Sequence, residues 1–212
     1  MLDLIQRDLL KELVNVYVGR AASLLSEMTN QKIVLNVPEI QILNVSEMDD
    51  LDKKSEPLFS PGHIVSSSLK FGHNFSGRAS LFFPANKAKV LVDICLGEFV
   101  AGQNDKSEKN LADTDFDVLR ELSNVLLNTV IGEFGNLLGT KLEFSLPNVE
   151  LIFVSETEQK IFLKHDIYVL VLHTSFILFE ADVEGIVLVA LGMNSLSRLI
   201  SKLDEMLGDY DG

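Results

Sequence analysis

Apolar residues recur with a helical period near the start of the chain: Leu10, Leu13, Val14, Tyr17, Ala21, Leu24 and Met28 share one side. Asp3 with Gln6 has the form of a capping box, so the pattern predicts a helix over 4–28. The next stretch, QKIVLNVPEIQILNV, is rich in Ile and Val and reads as extended. The polar run at 46–57, SEMDDLDKKSEP, predicts a loop. HIVSSSLKF and SGRASLFFP predict two strands joined by a short turn containing Gly72 and Asn74. ANKAKVLVDICLG returns to helical spacing, with Asn86 the expected N-cap and Gly97 at its stop.

After a polar linker at 102–110 the same order comes back. Thr114 with Asp117 predicts the capped start of a helix running to about residue 138 and closed by Gly139. KLEFSLPNVELIFV reads as extended, IYVLVLHTSFILF and GIVLVALG as strands, and NSLSRLISKLDEMLG as an amphipathic helix. Each half therefore predicts helix, strand, strand, strand, helix. Glu12 and Glu121, Asn15 and Asn124, and Pro38 and Pro147 are each 109 apart, and Asn86 and Asn194 are 108 apart. A unit of this length is too long for a solenoid repeat. The expected architecture is α/β: one pseudo-twofold-symmetric domain built from two internal repeats, about 1–101 and 111–212, its sheet packed against two long helices and further helices.

Composition narrows the function. A net charge of −13 disfavours nucleic acid and anionic membrane surfaces, both of which need clustered Lys and Arg. Four His and the single Cys95 leave little material for a metal site or disulfides. Cys95 reads as a small buried hydrophobe, His173 as a structural strand residue, and His63, His73 and His165 as surface residues. Asp3 follows Met1 too closely for a signal peptide, and the longest apolar run, 167–179, is interrupted and too short to span a bilayer. A cytoplasmic setting is expected. No nucleophile elbow, phosphate loop, zinc-protease helix or dinucleotide fingerprint is present.

What stands out is polar. At about 100° per residue, Asp8, Glu12, Asn15 and Gly19 fall in a stripe about 60° wide on the side of the first long helix away from its apolar face. Asp117, Glu121, Asn124 and Asn128 do the same on the second. Either stripe alone is an ordinary solvated helix face. Both copies, however, read D-x3-E-x2-N, with a proline 23 residues after the Asn. Duplication that served packing alone would keep the apolar positions rather than the wet Glu and Asn.

The doubled pattern [DS]-x3-E-x2-N-x22-P on two long helices resembles the CheC phosphatases of chemotaxis, and the resemblance covers nearly the whole chain. It implies hydrolysis of the aspartyl phosphate of a CheY-like response regulator, with Glu12 and Asn15 forming one catalytic site and Glu121 and Asn124 the other. In that family the Glu is held to anchor the regulator through a lysine. An Asn amide, both donor and acceptor, can orient water without titrating. The acyl phosphate is already activated, so positioning and charge management suffice. The Mg²⁺ at the phosphoryl group belongs to the regulator, so the resemblance implies no metal or cofactor of the chain's own. Family members also bind the receptor deamidase CheD, which makes a CheD-like protein a further expected partner.

One departure weakens the first copy. Where CheC-like helices continue with small residues after the Asn, this chain has VYVGRAA, in which Tyr17 and Arg20 are expected to crowd a docking surface. The rival to an enzyme is a non-catalytic interaction module on the same scaffold, either a flagellar-switch type or an adaptor. The end of the chain at Gly212, soon after the last helix, leads to the expectation of a free-standing protein without a motor domain.

Overall fold

Asp3 Oδ1 accepts from Gln6 N at 2.8 Å and Gln6 Oε1 accepts from Asp3 N at 2.9 Å, the reciprocal cap that starts helix α1 (Leu4–Thr29). Asn30, left-handed at φ 52°, ends it. The computed structural model describes residues 2–44, 60–98, 111–155, 168–178 and 181–208; the predicted loop, the linker and His165 lie outside them. After α1 come β1 (Ile33–Asn44), β2 (Gly62–Gly72), β3 (Gly77–Pro84) and α2 (Ala85–Cys95). The second half repeats the order as α3 (Asp113–Leu137), a two-residue β4 (Glu143–Phe144), β5 (Asn148–Val154), β6 (Tyr168–Leu178), β7 (Ala181–Leu191) and α4 (Met193–Gly208).

Two predicted caps are corrected. Helix α3 opens at Ala112, whose N–H donates to Asp115 Oδ2 at 2.8 Å, not at Thr114 with Asp117. The run DTDFD offers three carboxylates, and Asp115 is the one also drawn inward by Lys89. Helix α2 is preceded by Pro84 rather than capped by Asn86, which lies inside the first turn with its Oδ1 accepting from Lys87 N at 2.9 Å. The stops hold: Gly97 and Gly139 follow α2 and α3 at φ 72° and 60°, where a side chain would be strained.

Every strand pairing is antiparallel, and the order across the sheet is β1-β6-β7-β3-β2, with β4 and β5 both on the outer edge of β2. Exchanging each strand with its repeat counterpart reverses this order onto itself, the topology of a twofold between β3 and β7. The outer strands are exchanged: β1 of the first half pairs with β6 of the second, and β5 of the second with β2 of the first.

All four described helices contribute to one core on the same face of the sheet. Leu10, Val14 and Leu25 of α1 meet Leu126, Ile131 and Phe134 of α3 over Val65, Leu69, Leu81, Leu172 and Val187, with Leu91 of α2 and Leu199 of α4 at the sides. Burial of each such side chain contributes about 1.5–3 kcal/mol. Tyr17 meets Phe134 edge-on at 5.4 Å, and Phe134 stacks on Phe75 at 6.3 Å, tying the two long helices together. The alternate strand residues Ile64, Phe82, Val154, Val169, Val171 and Leu188 form a separate cluster on the other face. Among the described residues, no helix is long and apolar enough to cross a membrane.

Candidate functional site

The core fixes what α1 and α3 turn outward. With Leu10, Val14 and Leu25 directed at the sheet, Asp8 and Glu12 are exposed and Asn15 and Gly19 half-buried. On α3, Asp117 and Glu121 are exposed and Asn124 and Asn128 half-buried. Neither Glu12 nor Glu121 has a hydrogen-bond or ion-pair partner among the described residues, so both carboxylates stand available. Asp117 pairs with Arg120 one turn on at 2.5 Å. Leu9 and Val16 beside Glu12, and Val118 and Val125 beside Glu121, put partly or fully exposed apolar surface next to each acid. A groove of about 550 Å³ runs between this part of α3 and β5, lined by Phe116, Asp117 and Arg120 on one side and Val149, Glu150 and Leu151 on the other.

The two asparagines are held differently. Asn15 Oδ1 accepts from Val37 N at 2.8 Å, and its Nδ2 donates to Val37 O at 3.3 Å and to Lys11 O at 3.0 Å. The reason lies in β1. Between the pairs Asn36↔Ser175 and Glu39↔His173 the register shifts, and Val37 and Pro38 stand opposite Thr174 alone. This is a bulge, and the proline in it has no N–H to give. The Asn15 amide supplies the partners that the buried Val37 lacks in the ladder.

The bulge recurs in the second half. Ser145 N donates to Lys70 O at 2.9 Å and Asn148 pairs with Ser68, leaving Leu146 and Pro147 opposite Leu69. Here the Leu146 side chain is 85% exposed, and Asn124 does not reach its backbone. Asn124 Oδ1 instead accepts from Asn128 Nδ2 at 2.8 Å, and Asn124 Nδ2 has no partner among the described residues. Gly19 holds the place of Asn128 in the first half, so no equivalent pair can form there.

Tyr17 and Arg20 do not crowd the first motif. Tyr17 is a core residue, and burial, followed by the nearby Glu133 carboxylate, pushes its phenol up to about 12 against the opposing pull of Arg20. Arg20 is exposed and bonds Glu133 of α3. Cys95 is half-buried, with burial pushing its thiol up to about 12, which keeps it protonated and unreactive at neutral pH. His173 is half-buried within β6, whereas His63 and His73 are exposed. Among the described residues, no three His, Cys, Asp or Glu side chains gather as they would around a metal ion.

Sequence reasoning missed one polar cluster. Lys89 of α2 reaches Asp93 at 2.6 Å and Asp115 at 3.3 Å, pinning the start of α3. Gln6 at the start of α1 bonds Asp204 of α4. Each motif helix is thus tied near its N-terminus to a shorter helix.

Fold and surface define a duplicated α/β protein with two long helices that present outward-facing Glu and Asn. No protein-family model matches the chain. Over 151 residues it is 23% identical to the flagellar motor switch phosphatase FliY of Bacillus subtilis, a match covering 71% of this chain and 37% of that protein. Over 146 residues it is 24% identical to the CheY-P phosphatase CheC of the same organism, covering 69% of this chain and 66% of that one. The chain thus spans just under two thirds of the CheC and little more than a third of the FliY. In fold it is similar to Thermotoga maritima FliY, with a TM-score of 0.72 at 15% identity over 97% of this chain and 98% of the other. It is also similar to the FliM middle domain of H. pylori, at 0.60 and 10% over 95% and 99%. In sequence the chain is similar to the FliY and CheC phosphatases, and in fold to FliY.

Proposed function

We propose that the chain hydrolyses the aspartyl phosphate of a CheY-like response regulator, with the work concentrated at the second motif. The observation that carries this reading is the state of Glu121 and Asn124. Among the described residues the exposed carboxylate has no partner and, three residues on, the amide nitrogen is uncommitted, both on the outward face of a helix anchored by the core. In the proposed reaction Glu121 pairs with a lysine beside the phosphorylated aspartate and Asn124 holds a water in line with the phosphorus. The water oxygen forms the new P–O bond as the bond to the aspartyl oxygen breaks. The products are the free carboxylate and dihydrogen phosphate, which keeps both water protons. The regulator supplies the Mg²⁺ that neutralises the phosphoryl oxygens.

Glu12 serves as a second anchor in this proposal. Asn15, committed to Val37 through both ends of its amide, retains little capacity for substrate. A CheD-like deamidase is a further proposed partner, and a cytoplasmic setting a further proposal; both are carried by the family resemblance.

The rival reading is a docking module without turnover. The fold it shares with the FliM middle domain and the commitment of Asn15 both favour it. Phosphate release from a phosphorylated CheY-like regulator, with and without the chain, separates the two. Faster release that is lost in Asn124→Ala supports the phosphatase; binding with no acceleration leaves the adaptor.

A further inference from the structure

We infer that Asn128 is a positioning residue that acts on substrate through Asn124. The two lie one helical turn apart on the same face of α3, and Asn128 Nδ2 donates to Asn124 Oδ1 at 2.8 Å. A half-buried Asn without a partner samples more than one rotamer and both amide orientations. Here one lone pair of Oδ1 is taken by a neighbour fixed in the helix. What remains for a substrate is the second lone pair of Oδ1 and the two Nδ2 hydrogens. These match a water, which donates to the oxygen, and a phosphoryl oxygen, which accepts from the nitrogen.

A second observation sets Asn128 apart from ordinary surface polarity. Its own Oδ1 is shut off from solvent and has no hydrogen-bond partner among the described residues. Leaving a buried amide oxygen unpaired is destabilising, a cost that Ala or Gly at the same place would avoid. Gly19 stands at this place in the first half, where Asn15 is held by strand backbone instead. The unfavourable amide therefore accompanies the copy whose motif Asn has no other support.

The inference takes its kinetic readout from the phosphatase reading, but the contact itself does not depend on it. With the full chain and a CheY-like regulator phosphorylated by acetyl phosphate, Asn128→Ala should lower kcat about tenfold and leave half-saturation within about twofold, as expected when a catalytic group loses its orientation. In an Asn124→Ala background the same change should do nothing further, because its target is gone. The isosteric Asn128→Asp preserves shape but cannot donate at neutral pH, so it should lose kcat as Asn128→Ala does; it also serves if the Ala variant is unstable. Wild-type kcat in both variants, or an equal loss in the Asn124→Ala background, overturns the proposal. If the wild-type chain releases no phosphate, the phosphatase reading fails instead, and the side-chain amide resonances of Asn124 decide this one. They should shift in Asn128→Asp, and an unchanged pair of signals overturns the positioning role.

Discussion

The side-chain amide of Asn15 closes on the backbone of Val37, accepting from its N–H at 2.8 Å and donating to its carbonyl at 3.3 Å. Two residues that are 22 apart in sequence are thereby joined as if they belonged to neighbouring strands. Asn15→Ala strands two buried backbone groups and should cost about 1–3 kcal/mol in denaturant unfolding. Asn15→Asp should cost at least as much, because a carboxylate oxygen then faces the Val37 carbonyl. Asn124→Ala, at a half-buried site with no such duty, should change stability by less than about 1 kcal/mol.

Anchoring and turnover should separate in kinetics. Glu12→Gln with Glu121→Gln should raise half-saturation for the phosphorylated regulator and leave kcat nearly unchanged, since exposed acids govern encounter and docking. Raising salt should reproduce this change, because exposed charges are screened over about 10 Å at 0.1 M. Asn124→Ala should instead lower kcat by about 10². Titrations of initial rate against regulator concentration at two ionic strengths check all three.

Lys89 holds Asp93 and Asp115, and its hydrogen bond to Asp93, aided by Asp115, raises its pKa above the usual 10.5 in spite of partial burial. The fold therefore binds this proton more tightly than the unfolded chain does. The resulting stability is full below pH 10.5 and is lost as pH rises through the higher folded value. Lys89→Met should cost about 1–3 kcal/mol at neutral pH and flatten the alkaline decline, as measured by thermal unfolding across that range.

Gly77 begins β3 opposite Leu191 of β7, on the seam between the halves. A Cβ there would lie 2.2 Å from the Ala190 carbonyl oxygen and 2.9 Å from Phe71 Cζ. The first contact is with backbone that a rotamer change cannot move. Gly77→Ala should destabilise by about 1–3 kcal/mol or more by thermal unfolding.

Much of this fold was legible because its signals are local. Asp3 with Gln6 marks a start, Gly97 and Gly139 mark stops, and the shift from helical to strand spacing marks each half. The exchange of β1 and β5 between halves was not legible, since alternation tells a strand which face to bury and says nothing of its neighbour. The same limit hid the difference between Asn15 and Asn124. Both read E-x2-N, and the fate of each amide depends on a backbone approaching from another strand. The spacing to proline was visible, but it reads equally as a catalytic signature or as a bulge with an asparagine clamp. Tyr17 was assigned to the apolar side of α1 by its period and to the docking side by its bulk; packing against Phe134 decides for the period.

Synthesis of the chain inherits a difficulty from the exchanged strands. Asn44 ends β1 and Tyr168, which opens its partner β6, lies 124 positions on. At about 5–20 residues per second the ribosome leaves β1 without that partner for on the order of ten seconds. Throughout that interval a 12-residue edge, Val34 and Ile40 among its side chains, is a template for any passing strand. Pairs this distant in sequence close slowly even in the finished chain. A gene cut between the repeats would thus yield a first half whose β1 has lost its mate for good, and that product should collect in the insoluble fraction.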